Sequence, residues 1–139
     1  MTRAIRPPHP RGLLDTSVFV AIEQDREVDY GALPVEQYVS SISRGELLAG
    51  VLSAQSTEVR AQRLSTIEYL ASLSNLNVDY GVAARWAKLR TAVASFGRKV
   101  NVNDLWIAAV ALEHNLPVVT RDGDFDVFAE YGGPEVIRV

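Results

Sequence analysis

Gly12-Leu13-Leu14-Asp15-Thr16-Ser17-Val18 is the stretch that decides the fold. A short apolar run opens at Gly12 and stops on an acid, as a buried strand does. Thr16-Ser17 then starts a short helix through Val18 to Gln24. A buried strand that runs straight into a helix is the first half of a βαβ unit, and the rest of the chain repeats the alternation. Val39–Ser43 predicts a second strand. Ser43, with Glu46 three residues on, has capping-box spacing for a helix carrying Leu47, Leu48, Val51 and Leu52. Helix is predicted over Glu58–Leu73, then a brief strand at Leu76–Val78. An amphipathic helix over 81–96 sets Val82, Trp86, Leu89 and Val93 on one stripe. Asn103 reads as the N-cap of a helix from Asp104 to Glu113 that is apolar nearly all round. Strand Pro117–Thr120, short helix Asp124–Glu130 and strand Val136–Val139 complete an α/β pattern with a short, mostly parallel central sheet flanked by helices.

The chain has 139 residues, enough for one domain. Residues 1–11, with three Pro and three Arg, read as an N-terminal arm, and 12–139 as the domain. The arm is not a convincing secretory signal, and no apolar run approaches the ~18 to 20 residues of a membrane span. A cytoplasmic protein without a membrane partner is expected. The absence of Cys excludes disulfides, thiolate metal sites and a Cys nucleophile, and two His, His9 and His114, make a multi-His metal site improbable. The net charge of −3 is unevenly spread. Tyr80 to Asn103 holds five bases and no acid, whereas Asp122 to Glu135 holds five acids and no base. A cationic surface beside an anionic pocket suits such segregation.

Four acids fall at element ends. Asp15 follows the first strand, Asp122 lies just past the strand ending at Thr120, and Glu46 and Asp104 stand in the first turns of helices. In a parallel sheet the strand C-termini line the ligand-binding edge. Any one of these acids has an ordinary explanation as a turn or dipole residue. Asp104 has the least ordinary one, because it leads a buried helix whose cap is already Asn103, and an unpaired buried charge is expensive. Carboxylates without His or Cys are a ligand set for Mg²⁺ or Mn²⁺, ions that serve phosphate chemistry.

Leu13-Leu14-Asp15-Thr16-Ser17-Val18, Ser43-Arg44-Gly45-Glu46-Leu47, Asn103-Asp104-Leu105-Trp106-Ile107-Ala108-Ala109 and Val119-Thr120-Arg121-Asp122-Gly123-Asp124-Phe125, in this order, resemble the PIN domain. More closely, they resemble the VapC toxins of bacterial type II toxin–antitoxin systems. The resemblance spans about residues 12–139. It implies the three-layer PIN-like fold and a Mg²⁺-dependent endoribonuclease, with Mn²⁺ as the substitute ion. It also implies a cognate VapB-type antitoxin, an RNA substrate and a homodimer. Carried over residue by residue, Asp15, Glu46 and Asp104 match the three firmest acids. Asp122 ranks first and Asp124 second for the fourth. Thr16 and Thr120 match hydroxyl positions near the metal, where they would orient a carboxylate or water. The basic segment 80–99 is placed to grip RNA backbone, and an antitoxin Arg or Lys to occupy the metal's place. The alternatives are a PIN-type DNase or flap nuclease, whose added arch segments this chain lacks, and a catalytically silent PIN module that only binds a partner. A phosphoacceptor domain of the response-regulator type is rejected, since it expects paired acids early and a Lys after a late strand, where this chain has Arg121-Asp122.

Overall fold

The computed structural model describes residues 9–139. The expected arm over 1–11 thus lies outside the described residues except for its last three, of which Arg11 already belongs to a strand. The elements are β1 (Arg11–Leu14), α1 (Thr16–Glu23), a single 3₁₀ turn (Tyr30–Ala32), β2 (Glu36–Ser40), α2 (Ser41–Leu52), α3 (Thr57–Leu70) and β3 (Ser74–Leu76). They continue as α4 (Tyr80–Ser95), α5 (Val102–Glu113), β4 (Val118–Thr120), α6 (Asp126–Ala129) and β5 (Val136–Arg138). The five strands form one sheet in the order β3-β2-β1-β4-β5, and every pairing is parallel.

Parallel strands linked by helices must be buried on both faces, which is why β1 and β4 read as unbroken apolar runs. The period of two sends neighbours to opposite sides. Leu13 and Val118 pack with Val82, Leu89, Val93, Ile107, Val110 and Phe128 from α4, α5 and α6. Leu14 and Val119 pack on the other face with Val18, Phe19, Leu47 and Leu70 from α1, α2 and α3. Two apolar cores on the two sides of one sheet make the three-layer sandwich. Gly12 permits the close approach of neighbouring chain, since a Cβ there would meet Pro34 and Val119 side-chain carbons at 2.8 Å. Among the described residues no helix is long and apolar enough to cross a membrane.

Two expected helix starts move, both for the same reason. The cap of α2 is Ser40, whose side chain accepts from the Ser43 amide, so Ser43 is a buried residue inside the helix and Glu46 stands in its second turn. The cap of α5 is Asn101, whose Oδ1 accepts from the amides of both Asn103 and Asp104. Each cap takes the amides two or three residues ahead, which is the reach a cap side chain has. The inference that Asp104 is not the cap stands, because Asn101 holds its amide. Elsewhere the boundaries shift by a few residues: β2 and β3 start three and two residues earlier than expected, α3 ends at Leu70, and α6 is a single turn.

The Asn101 assignment has a measurable consequence. Asn101→Ala costs about 1 kcal/mol of stability, the usual value of a lost cap. Asn103→Ala, at an exposed position already inside the helix, changes it by less than about 0.5 kcal/mol. Urea unfolding of the two variants measures both, and the reverse ranking would restore Asn103 as the cap.

Candidate metal centre at the sheet switch point

The sheet order reverses direction at β1, which lies between β2 and β4. Connections leaving β1 and β4 diverge there and open a crevice at the strand C-termini. Asp15 leaves β1 and caps α1. Its amide is tied to the Val119 carbonyl at 2.9 Å, so its position is locked to β4. Thr120, Arg121 and Asp122 leave β4 beside it.

The Asp15 carboxylate is 4% exposed. Its Oδ2 accepts from Ser17 Oγ at 2.6 Å and from Thr120 Oγ1 at 3.0 Å. The chain of donors continues outward, since Ser17 Oγ accepts from the Arg121 amide at 3.1 Å and Thr120 Oγ1 from the Asp122 amide at 3.3 Å. The bonds to the Asp15 carboxylate all fall on Oδ2. Burial pushes the Asp15 carboxyl above its ordinary value, against the pull of the Ser17 and Thr120 hydroxyls, and the charge of Asp122 adds to the rise. On the other side of the crevice Thr16 Oγ1 donates to Glu46 Oε1 at 2.8 Å and lies 2.9 Å from Ser43 Oγ, fixing an otherwise exposed carboxylate.

Asp104 is half-buried at the start of α5. Its carboxyl is pushed up to about 7, first by burial and then by the charges of Asp15, Asp122, Asp124 and Glu46, in that order. The five acids, from four places in the chain, therefore share one electrostatic site. Asp122 acts on both Asp15 and Asp104, and Asp124 on Asp104. Asp122 is half-buried and Asp124 exposed, and the Asp124 amide donates to Asp122 Oδ1 at 3.0 Å. Among the described residues the ion pairs are His9–Glu135 and Arg138–Asp126, so no Lys or Arg neutralises this group. The acids stand apart from one another: among the described residues no three are drawn close enough to enclose an ion already. An all-oxygen donor set is the chemistry of a hard divalent cation.

Sequence reasoning placed Asp15, Glu46, Asp104 and Asp122 at element ends that can share one crevice, with Asp124 as the second choice for the fourth acid; in the structure the charges of Asp15, Asp122, Asp124 and Glu46 all act on Asp104. It missed Ser17, read only as a helix start, and Ser43, read as a cap. A hydroxyl two residues after an acid at a strand end was the available signal for Ser17, because that spacing lets it fold back onto the carboxylate.

Residues 12–131 match the PIN domain family. The chain is 46% identical to Ribonuclease VapC5 of Mycobacterium tuberculosis over 128 residues, covering 92% of this chain and 95% of that protein. It is 38% identical to Ribonuclease VapC4 of the same organism, covering 83% of this chain and 88% of that protein. A crystal structure of VapBC-5, a member of the VapBC family of toxin–antitoxin systems from M. tuberculosis, superposes with a TM-score of 0.86 at 44% identity, covering 94% of this chain and 99% of that one.

Burial of Asp104 among the other acids fixes a pH dependence. In EDTA, Asp104 binds its proton more tightly in the folded chain (about 7) than in the unfolded chain (3.8). Its contribution to stability is therefore fully present below pH ~4 and is lost as pH rises through ~7. Thermal melts in EDTA show the wild type losing stability across that window. Asp104→Asn has a flatter profile and a higher midpoint at pH 8, and equal slopes for the two proteins contradict that dependence.

Proposed function

The chain belongs to the PIN domain family, and from that membership we propose that it is a divalent-metal-dependent endoribonuclease, the toxin of a toxin–antitoxin pair. The observation that carries the reading is a group of five acids at the switch point of a parallel sheet with, among the described residues, no cationic side chain paired to them. Its relatives are named ribonucleases, and one belongs to a VapBC toxin–antitoxin complex. On that similarity we assign RNA as substrate, a VapB-type antitoxin as partner, a homodimer as assembly and the cytoplasm as setting.

Asp15, Asp104 and Glu46 would hold Mg²⁺ or Mn²⁺, with Asp122 as the fourth acid. Asp122 is preferred over Asp124 because its charge reaches both Asp15 and Asp104. When bound, such an ion polarises the phosphoryl oxygen and makes water a better nucleophile. The protein's own part is orientation and proton handling. The Ser17 and Thr120 hydroxyls hold Oδ2 of Asp15 and so fix the orientation of its carboxylate. Thr16 fixes Glu46 on the solvent side of the crevice, where its carboxylate is placed to take a proton from the attacking water. The Asp104 carboxyl, pushed up to about 7 by burial and by the other acids, is one whose charge state a cation nearby would change.

Total RNA incubated with the purified protein is cut in Mg²⁺ or Mn²⁺ and spared in EDTA. Undiminished cleavage in EDTA overturns the metal requirement. Asp15→Asn and Asp104→Asn abolish cleavage and arrest of growth while remaining folded. Ser17→Ala, which keeps every acid but releases Asp15 Oδ2, lowers the cleavage rate about 10- to 100-fold, the usual cost of losing an outer partner of a metal ligand.

A further inference from the structure

Phe96 is 70% exposed, an unusual place for a phenylalanine. Its position is not that of a loose loop. It is the C-cap of α4, followed by Gly97 in the left-handed region at φ 68°. The Gly97 amide donates to the Ala94 carbonyl at 2.9 Å and the Arg98 amide to the Val93 carbonyl at 3.3 Å. That pair of bonds is a Schellman turn, which fixes the backbone on both sides of the ring. Such a turn commonly folds an apolar residue two positions past the cap back onto the helix. Here that residue is Arg98, and it is exposed.

One side of the Phe96 ring meets Tyr131, with centroids 5.1 Å apart and planes at 41°. Tyr131 is itself anchored, its amide donating to the carbonyl of the fully buried Phe128 at 3.0 Å. The rest of the Phe96 ring faces solvent. The next residues lead directly to the acids: a cavity of about 360 Å³ is lined by Arg98, Lys99 and Asn101 on one side and by Asp104, Gly123 and Asp124 on the other. Val127, four residues before Tyr131, closes it. Of the acids on that turn, Asp126 is paired with Arg138 at 3.3 Å, and Glu130, beside Tyr131 in the chain, is exposed. A rigid exposed aromatic, two adjacent cations and a polar cavity leading to a phosphodiester-cleaving site are the parts of a single-strand nucleic-acid platform. Aromatic faces take unstacked bases of any identity, and Lys and Arg take the backbone.

We propose that Phe96, backed by Tyr131, stacks one unpaired nucleobase of the RNA strand whose backbone runs along Arg98 and Lys99 into the carboxylate crevice. The proposal rests on the ribonuclease reading above. It adds that one nucleotide beside the scissile bond is held by the face of its base on Phe96, without base identity being read.

The probe is a single-stranded oligoadenylate 12-mer carrying one 2-aminopurine, whose fluorescence falls on stacking. It is measured against the full chain in Ca²⁺, beside a duplex of the same length. Wild type quenches the single strand and binds it more tightly than the duplex. Phe96→Ala and Phe96→Leu weaken single-strand binding about tenfold and remove the quench, whereas Phe96→Trp restores both. Arg98→Ala leaves the quench in place and lowers the salt slope by about 0.7. The same proteins are assayed on total RNA. If wild type cleaves RNA but Phe96→Ala binds and quenches as wild type does, the platform is overturned and the ribonuclease stands. If wild type cleaves no RNA under any cation, the reading beneath the platform fails and takes it down. A Phe96→Ala protein that keeps its RNA affinity but changes its oligomeric state or loses its antitoxin makes the ring a protein contact and also overturns the proposal.

Discussion

Five carboxylates act on one another around the ends of β1 and β4, with no ion pair among the described side chains to any of them, and much of the local structure answers that constraint. A buried carboxylate is tolerable only when its lone pairs are satisfied. Asp15 meets the condition through Ser17 and Thr120, whose own oxygens are held by the Arg121 and Asp122 amides. The result is a closed chain of donors from one strand end to the next. Asp104 lacks such help. A helix start would ordinarily lend its amides to an acid, but Asn101 has already taken those of Asn103 and Asp104. Asp104 is thus left without those amides, and burial first, then the charges of the other acids, raises its proton affinity.

The topology makes this arrangement possible with very little chain. The strands are three to five residues long, and each acid stands within a turn or two of a strand end or helix start. With the order 3-2-1-4-5, β1 is central and its two neighbours lead away to opposite faces. The amide of Asp15 reaches across to Val119, so the β1 and β4 ends cannot drift apart. A site built on strand ends inherits the rigidity of the sheet, whereas Glu46, on the exposed face of α2, depends on the single hydroxyl of Thr16 for its orientation.

The layers were legible in the sequence because burial on both faces leaves an unmistakable trace: Gly12-Leu13-Leu14 and Val118-Val119 carry no polar residue, and the α5 run from Leu105 to Ala111 has none either. The acids were legible because each interrupts or ends such a run. The helix starts were less so. Ser40, Ser41 and Ser43 are all competent caps, as are Asn101 and Asn103, and local chemistry does not choose among them. Strand pairing chooses, since β2 pairs with β3 as far as Ser40 and the helix begins at the next residue. Ser17 was hidden for a related reason. Its hydroxyl matters through Thr120, 103 residues away, and that proximity exists only once the parallel sheet has formed.

The charge segregation acquires a physical sense from the same geometry. Acids and bases within a Debye length, about 8 Å at physiological salt, feel each other strongly, yet Arg98 and Lys99 share a cavity with Asp104 and Asp124 without an ion pair among them. Pairing would remove the negative field a cation needs and the positive one a phosphate backbone needs. The Schellman turn at Gly97 and the Asn101 cap hold the two sets of charges on separate pieces of rigid backbone, one ending α4 and the other starting α5. Between those two caps lie only four residues, Gly97 to Val100. A chain with a net charge of −3 can therefore present a cationic ledge to a polyanion at the very edge of its anionic site, because the backbone keeps the two from neutralising each other.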